Sequence, residues 1–260
     1  MTGPAAAVQV GYPRFFRIGG YWINSYKVFL CIGIYTGSLA TAVLAARSGF
    51  SPLQFGFGAM ACALAGLAGA RVYHVLIHAD VYLRRRPRLS LWDSRRSGWS
   101  VFGALITFVP SSFALAALLQ LPIASFWDHM AIGVLTGGFW IRLGCVFNGC
   151  CAGRESGGVL TVCLHDTRGV RKHRIPVQFL EMAWWVLGTA VFLAVWPTPV
   201  PPGTYALGVL GWYGAGRFVL EPLRERPDVI LGGIRVNQVV AGLLAVLAAA
   251  VTLTWILGSQ

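Results

Sequence analysis

Long apolar runs dominate this sequence and restrict it to the helical membrane proteins. A helix needs about 17 to 25 residues to cross a bilayer, and seven runs reach that length: 25–46, 54–78, 100–120, 128–148, 177–197, 203–221 and 236–258. Hydrophobic residues make up 56% of the chain and charged residues 12%, with a mean hydropathy of +0.65, outside the range of soluble domains. We predict an all-α, polytopic integral membrane protein with about seven transmembrane helices in a single domain, 1–260.

Arginine carries almost all of the positive charge. The chain has 21 Lys and Arg against 9 Asp and Glu, a formal net charge of +12, and its only lysines are Lys27 and Lys172. Guanidinium groups bind phosphate through paired hydrogen bonds, so an anionic lipid is a better candidate partner than nucleic acid. Six arginines cluster in the loop after the second run, where we predict an interfacial patch: Arg84, Arg85, Arg86, Arg88, Arg95 and Arg96.

The stretch GGFWIRLGCVFNGCCAGR, residues 137–154, joins the end of a span to a turn rich in Gly, Asn and Cys. Arg142 lies at membrane depth, where a charge costs at least about 2.5 kcal/mol and usually has an anionic partner. The alternative is an arginine that snorkels to the interface. We predict that backbone N–H groups of the turn point at one spot between Arg142 and Arg154, which suits a phosphate. Residues 149–176 form a polar loop that is predicted to cap one mouth of the bundle.

Two later spans also carry charged residues. Glu181 lies near the start of the fifth run, where a lone carboxylate is costly, so we predict that it pairs with an arginine. Four residues at helical spacing share one face of the sixth run: Tyr213, Arg217, Glu221 and Arg224. One alternative is a self-sufficient pair between Arg217 and Glu221. The other is a larger network that includes Arg142 and Glu181.

Two histidines in the second run raise the question of a metal. His74 and His78 are four residues apart and share a helical face. The sequence shows neither an evident third ligand nor a metal signature of the HExxH kind. We therefore predict no metal and no organic cofactor.

Several of these stretches together resemble the prolipoprotein diacylglyceryl transferases of bacterial membranes. The family signature G-R-x-x-N-F-x-N-x-E-x-x-G-R is similar to IRLGCVFNGCCAGR. The residues that match it are Arg142, Asn148, Gly153 and Arg154, and Phe147 lies one position after the place of the signature phenylalanine. Further matches follow the family order: NSYKVFLCIG, then IPVQFLE for H-P-x-Q-L-Y-E, YGAGRFVLEPLR for Y-x-x-x-R-F-x-x-E-x-x-R, and GGIRVNQVVA. The resemblance covers nearly the whole chain.

The resemblance implies an enzyme of the bacterial cytoplasmic (inner) membrane. Such an enzyme moves the diacylglyceryl group of phosphatidylglycerol to the cysteine thiol of a prolipoprotein and releases glycerol phosphate. The family's catalytic positions fall on Arg142, Arg217, Glu181 and Tyr26, although Tyr26 also fits an interfacial aromatic belt. The residues predicted to bind substrate are Asn148, Gly153, Arg154, Tyr213, Glu221 and Arg224.

The departures from the family concern the acceptor side. The histidine of the family segment G-x-S-F-H-G-G is Phe102 here, and the signature asparagine and glutamate are Cys145 and Cys150. The acceptor is therefore either a prolipoprotein thiol or an unidentified small molecule or lipid. Cys150 and Cys151, beside Arg154, can act as nucleophile or base if their pKa is lowered. The alternative is that they are small packing residues.

The basic character of the chain allows a second interpretation of its function and bears on its orientation in the membrane. A non-catalytic binder or transporter of anionic lipid would use the same basic cavity. Most arginines also lie on one side, in the N-terminal tail and the loops after the second, fourth and sixth runs, with Arg47 on the other. The positive-inside rule places the basic side in the cytoplasm, whereas the family has its N-terminus and active-site mouth outside.

Overall fold

Seven α-helices account for most of the part of the chain that the structure describes. The computed structural model describes residues 12–79, 99–158, 161–196, 198–225, 230–231 and 234–258. The helices are α1 (Ser25–Arg47), α2 (Pro52–Ile77), α3 (Val101–Leu118), α4 (Ile123–Asn148), α5 (Val177–Val195), α6 (Thr204–Leu220) and α7 (Val236–Gly258). Each coincides with a predicted run to within a few residues, so the all-α prediction is confirmed. The arginine cluster at 84–96 lies outside the described residues.

Within the described residues, five of these helices are both long and apolar enough to cross a bilayer. These segments are Ser25–Arg47, Pro52–Ile77, Ile123–Asn148, Val177–Val195 and Val236–Trp255. The remaining two, α3 and α6, are 18 and 17 residues long. Helices of this length and apolar character are those of a multi-pass membrane protein.

Helix boundaries follow from local residue chemistry. Pro52 opens α2, where its missing N–H costs nothing, and the Ser51 hydroxyl accepts a hydrogen bond from the Gln54 N–H at 3.4 Å. At its other end α6 stops at Leu220, and residues Glu221–Leu223 form one 3-10 turn because Pro222 disfavours continuation of the α-helix. The prediction that residues 213–224 lie on one continuous α-helical face is therefore wrong in its last turn.

In the residues that the structure describes, three short antiparallel strand pairs accompany the helices. Strands β1 (Phe15–Ile18) and β2 (Tyr21–Asn24) pair with Phe15 opposite Asn24. The pair β3 (Val162–His165) and β4 (Arg171–Arg174) places Val162 opposite Arg174, and β5 (Ile230–Leu231) pairs with β6 (Ile234–Arg235). The segment predicted as a polar loop, 149–176, thus contains the second hairpin.

The helices fall into two compact units, and the second of these spans Ile34–Gly133. In it α2 and α3 pack closely because glycines face each other: a Cβ on Gly103 would lie 2.5 Å from the Gly69 carbonyl oxygen. Small residues at crossings allow this approach. Its core contains Phe55 and Phe126, whose rings pack edge to face with centroids 5.6 Å apart.

The first unit comprises Met1–Gly33 and Val134–Gln260. Here the indole N–H of Trp184 on α5 donates to the Trp212 carbonyl on α6 at 3.1 Å. The indole N–H of Trp212 likewise donates to the Trp184 carbonyl at 3.1 Å. A Cβ on Gly138 of α4 would lie 2.5 Å from the Trp185 ring. These contacts pack α4, α5 and α6 together, and they bring the charged residues of the three helices to one place.

Candidate functional site

Glu181 of α5 is the centre of a buried group of charges in the first unit. It is 5% exposed. Its carboxylate receives Arg224 at 2.6 Å, Arg142 at 3.1 Å and Arg217 at 3.8 Å. The predicted arginine partner of Glu181 is therefore confirmed threefold, and Arg142 has an anionic partner instead of snorkelling.

Glu221 forms the second anionic point of the same group. It is 1% exposed, and its carboxylate forms an ion pair with Arg217 at 3.0 Å and lies 3.6 Å from the Arg224 Nε. The alternative of an isolated Arg217–Glu221 pair is wrong, because Arg217 and Arg224 each contact Glu181 as well as Glu221. We call Arg142, Glu181, Arg217, Glu221 and Arg224 the arginine–glutamate network. Three arginines against two glutamates leave one formal positive charge among these five side chains.

A narrow cavity borders the network. It measures about 10 Å³ and is lined by Arg142, Glu181, Arg217 and Tyr213, with Trp184 and Trp185 among its walls, which is room for about one water molecule. The Tyr213 ring stacks on Trp185 with centroids 6.1 Å apart. The predicted substrate-binding Tyr213 thus lies beside the three charged residues, in surroundings of low polarity that strengthen electrostatic interactions.

Tyr26 and Asn148 meet through the start of α1. The Asn24 side-chain amide donates to the side-chain oxygen Oδ1 of Asn148 at 3.0 Å and accepts a hydrogen bond from the Tyr26 backbone N–H at 2.9 Å. A Cβ on Gly144 would lie 3.3 Å from the Tyr26 ring. Tyr26 therefore packs against α4 at Gly144, two residues after Arg142 in the sequence. Asn24 was not predicted as a site residue, although it is the first residue of the matched stretch NSYKVFLCIG.

The turn after α4 is tightly held by its own backbone. Gly149 has φ +73° and the non-glycine Cys151 has φ +56°, and such strain in a non-glycine residue is most common at functional sites. The N–H groups of Gly149, Cys150 and Arg154 donate to protein carbonyls at 3.4, 3.2 and 2.9 Å. These three N–H groups therefore do not point at a phosphate as predicted, and the arginine side chains are the better candidates to bind an anion.

Three cysteines, one at the end of α4 and two in this turn, lie together. The sulfurs of Cys145, Cys150 and Cys151 are all within 4.8 Å of one another, and all three residues are free thiols; we call them the cysteine cluster. From the sequence, Cys150 and Cys151 were predicted to be a nucleophile or base, or packing residues, and metal binding by this group was not predicted. The signal was the spacing C-x4-C-C across a helix end.

Two of these thiols differ in acidity. Hydrogen bonds from Cys145 and Cys150, with the positive charges of Arg142 and Arg224, lower the pKa of Cys151 well below its ordinary value. For Cys150, the hydrogen bond with Cys145 lowers the pKa of the thiol. The hydrogen bond with Cys151 and burial act the other way and raise this pKa to about 11. The lowered pKa expected for both thiols thus occurs at Cys151 only, and its cause is not Arg154.

Gly153 and Arg154 contribute through their backbones. The Arg154 side chain is exposed, while its N–H donates to the Leu223 carbonyl at 2.9 Å and its carbonyl accepts from Ile175 at 3.1 Å. Gly153 pairs with Arg224 in an isolated bridge. These contacts tie the turn to the residues on either side of the network, and they do not bring the Arg154 side chain into it.

Arg174 and Gln178 are buried residues that sequence reasoning missed. Arg174 is 1% exposed; it donates to Glu225 at 2.8 Å and to the Gly153 carbonyl at 3.3 Å. The Gln178 amide donates to the Cys150 carbonyl at 3.0 Å. Arg174 stands in the basic run RKHR, which reads as a solvated strand, so no sequence signal distinguished it. Gln178 is the glutamine of the matched IPVQFLE stretch.

Two sequence features lie in the second unit. His74 and His78 do meet, with ring centroids 4.4 Å apart, but in the described part of the chain the cysteine cluster is the only group of three or more possible metal ligands. Phe102, at the position of the family histidine, is 66% exposed on α3. An exposed phenyl ring has no acid–base chemistry.

Comparisons with known proteins show which family the sequence resembles over most of its length. A family model described as prolipoprotein diacylglyceryl transferase matches residues 13–255. Three similar proteins are named phosphatidylglycerol–prolipoprotein diacylglyceryl transferase. The one from Tropheryma whipplei is 25% identical over 89% of this chain and 88% of its own, and that from Clostridium kluyveri is 23% identical over 88% and 91%. The protein from Streptococcus equi subsp. zooepidemicus is 27% identical over 91% and 92%.

Proposed function

This chain belongs to the prolipoprotein diacylglyceryl transferase family, and we propose that it transfers the diacylglyceryl group of phosphatidylglycerol to a cysteine thiol, with release of glycerol phosphate. It is a multi-pass membrane enzyme, a transferase acting on phospholipid. We place it in the bacterial cytoplasmic membrane, where a prolipoprotein is the first candidate acceptor. The observation that carries the proposal is the buried arginine–glutamate network with its one excess positive charge.

The network suits the leaving group of this reaction. The acceptor sulfur forms a bond to the glycerol carbon that carries the phosphate, and the carbon–oxygen bond breaks with its electron pair on the phosphate oxygen. The thiol proton is lost to a base or to solvent. Arg142 and Arg217 are proposed to bind that phosphate, because guanidinium groups in a site of low polarity stabilise negative charge as it develops.

The other candidate residues are proposed to support this step. Glu181 and Glu221 hold the arginines in place through the ion pairs at 2.6 to 3.1 Å, and Arg224 joins both carboxylates. Tyr26 and Tyr213 flank the phosphate site. The residues proposed to shape the substrate-binding turn are Asn148, Cys150, Gly153 and Arg154.

The test is transfer activity of purified protein in micelles containing phosphatidylglycerol and a peptide with one acceptor cysteine. Glycerol phosphate release and the mass of the peptide are followed together. Arg142→Ala and Arg217→Ala should each lower the rate by about 10²-fold or more, the cost of removing one group that stabilises developing charge. Arg171→Ala removes an exposed arginine of β4 and should leave the rate unchanged. Full activity in both network variants would refute the assignment of the phosphate site.

A second candidate function differs only in the acceptor. Phe102 stands where the family has a histidine, and Cys145 and Cys150 replace the signature asparagine and glutamate. These substitutions favour an acceptor whose thiol or hydroxyl is activated in another way. Release of glycerol phosphate without a mass gain on the peptide would support this second function over lipoprotein transfer.

A further inference from the structure

The cysteine cluster has the dimensions of a metal site. Its three sulfurs lie within 4.8 Å of one another. Sulfurs bound to one zinc ion at about 2.3 Å in tetrahedral geometry are about 3.8 Å apart, so modest rotations of these side chains suffice. Cys145 is 2% exposed at the end of α4, and Cys150 and Cys151 follow in the turn. None of the three is in a disulfide.

The turn holds the sulfurs together without any ion. The Cys150 N–H donates to the Cys145 carbonyl at 3.2 Å, and Gln178 donates to the Cys150 carbonyl at 3.0 Å. Cys151 keeps a left-handed backbone, φ +56°, although a side chain disfavours that conformation. This conformation directs consecutive cysteines into one cluster, a geometry that tight packing alone does not require.

One side of the cluster is open. Cys150 and Cys151 line a cavity of about 220 Å³ whose other walls include Asp166, Arg168 and Arg224. Among the described residues no further His, Cys, Asp or Glu belongs to the ligand group. Three protein ligands with a free fourth position are the arrangement of catalytic zinc sites, whereas structural sites have four.

The surrounding charges suit a bound divalent cation with three thiolates. Three thiolates and one Zn²⁺ carry a formal charge of −1. Arg142 and Arg224 both interact electrostatically with the Cys151 sulfur, and their positive charge offsets that excess. The soft thiolate set favours zinc over hard cations such as magnesium.

We propose that Cys145, Cys150 and Cys151 bind one zinc ion whose fourth position, facing the cavity, takes the acceptor thiol as a thiolate. The second half of this statement rests on the proposed function. The acceptor releases its proton on binding, its sulfur forms the bond to the glycerol carbon, and the carbon–oxygen bond breaks with the electron pair on glycerol phosphate. The thioether product is a weak ligand and leaves. No oxidant or reductant is needed. The ion promotes deprotonation of the acceptor thiol, a role for which the family histidine is absent here.

The first experiment measures metal binding by the full chain. Reduced protein in detergent is analysed for zinc, then emptied and titrated with Co²⁺ while absorption is recorded. Wild type should bind about one ion per chain, with sulfur-to-cobalt charge-transfer bands and tetrahedral visible bands. Cys145→Ser, Cys150→Ser and Cys151→Ser should each weaken Co²⁺ binding at least about tenfold. Cys31→Ser and Cys163→Ser remove exposed cysteines and should bind as wild type does.

A conservative variant separates loss of a ligand from misfolding. Cys150→His supplies a nitrogen ligand and should keep tetrahedral Co²⁺ bands with weaker charge transfer, while helix content by circular dichroism stays at the wild-type value. Wild-type affinity in all three serine variants, or bound Co²⁺ without any charge-transfer band, would overturn the metal site.

Two measurements distinguish this inference from the proposed function. Adding a peptide with one cysteine to Co²⁺-loaded protein should shift the visible bands, and the matching serine peptide should not; no shift with the cysteine peptide overturns the open fourth position. Arg217→Ala should lose transfer but keep the Co²⁺ spectrum. Metal binding without any transfer by wild type would refute the proposed function and leave the metal site standing. Full transfer by metal-free protein would refute the role of the ion.

Discussion

Replacing Glu181 by glutamine should strongly destabilise the first unit. Its carboxylate receives Arg224 at 2.6 Å and Arg142 at 3.1 Å, with Arg217 at 3.8 Å. Hydrogen bonds to charged groups contribute about 1.5 to 3 kcal/mol each, and a glutamine oxygen recovers only part of one. Breaking a buried ion pair from one side costs about 3 to 5 kcal/mol. We therefore expect Glu181→Gln to lower the free energy of unfolding by about 3 to 5 kcal/mol.

The matched control is Glu155→Gln. Glu155 also pairs with a basic residue, Lys172, at 2.5 Å, but its side chain is 50% exposed whereas that of Glu181 is 6% exposed. Exposed pairs contribute about 0 to 1 kcal/mol. The two variants therefore carry the same chemical change in buried and exposed surroundings.

Equilibrium unfolding in mixed micelles, followed by tryptophan fluorescence, gives the free energy of unfolding for both variants. The double variant Glu181→Gln with Arg142→Ala should cost less than the sum of its parts, because removing the partner removes an uncompensated charge. If Glu181→Gln costs no more than Glu155→Gln, then the arginines do not depend on this carboxylate, and the reasoning about the network is refuted.

Three further predictions concern the same unit. Gly149→Ala should cost more stability than Gly169→Ala: both glycines have positive φ, but a Cβ on Gly149 would lie 2.6 Å from the Asp166 carbonyl whereas Gly169 has nothing within 4 Å; equal unfolding midpoints would contradict this. Burial raises the pKa of Asp166, but hydrogen bonds from backbone N–H groups outweigh it and lower this pKa. The ionised carboxylate should therefore stabilise the β3–β4 hairpin fully above pH about 4, and this contribution should be lost as the pH falls through the folded-state pKa. Hydrogen exchange across 161–175 relative to intrinsic rates checks this, and Asp166→Asn should remove the pH dependence. The Trp184 and Trp212 rings stack with centroids 4.3 Å apart, and Trp212→Phe keeps an aromatic ring at this position but removes its N–H donor to Trp184. This variant should lower the free energy of unfolding by about 1 to 2 kcal/mol; no loss would mean that water replaces the hydrogen bond.

The sequence by itself determined the helices and the family. Apolar runs of membrane length need internally satisfied backbones, so hydropathy alone located all seven helices, including α5 at Val177–Val195. The same reasoning predicted that Glu181 needs an arginine, because a charge at membrane depth is costly whatever the fold. Matched motifs, spread from NSYKVFLCIG to GGIRVNQVVA, identified the family without any coordinates.

Only the tertiary structure decided which charges meet. Arg142 and Arg154 bracket one motif, yet Arg142 joins Glu181 while the Arg154 side chain is exposed. Arg174, in a run that reads as solvated, is 1% exposed and pairs with Glu225. Local spacing sets which residues share a helical face, but it does not set the contacts between helices distant in sequence. Those contacts depend on how α4, α5 and α6 pack through their small and aromatic residues, and this packing is a property of the folded chain as a whole.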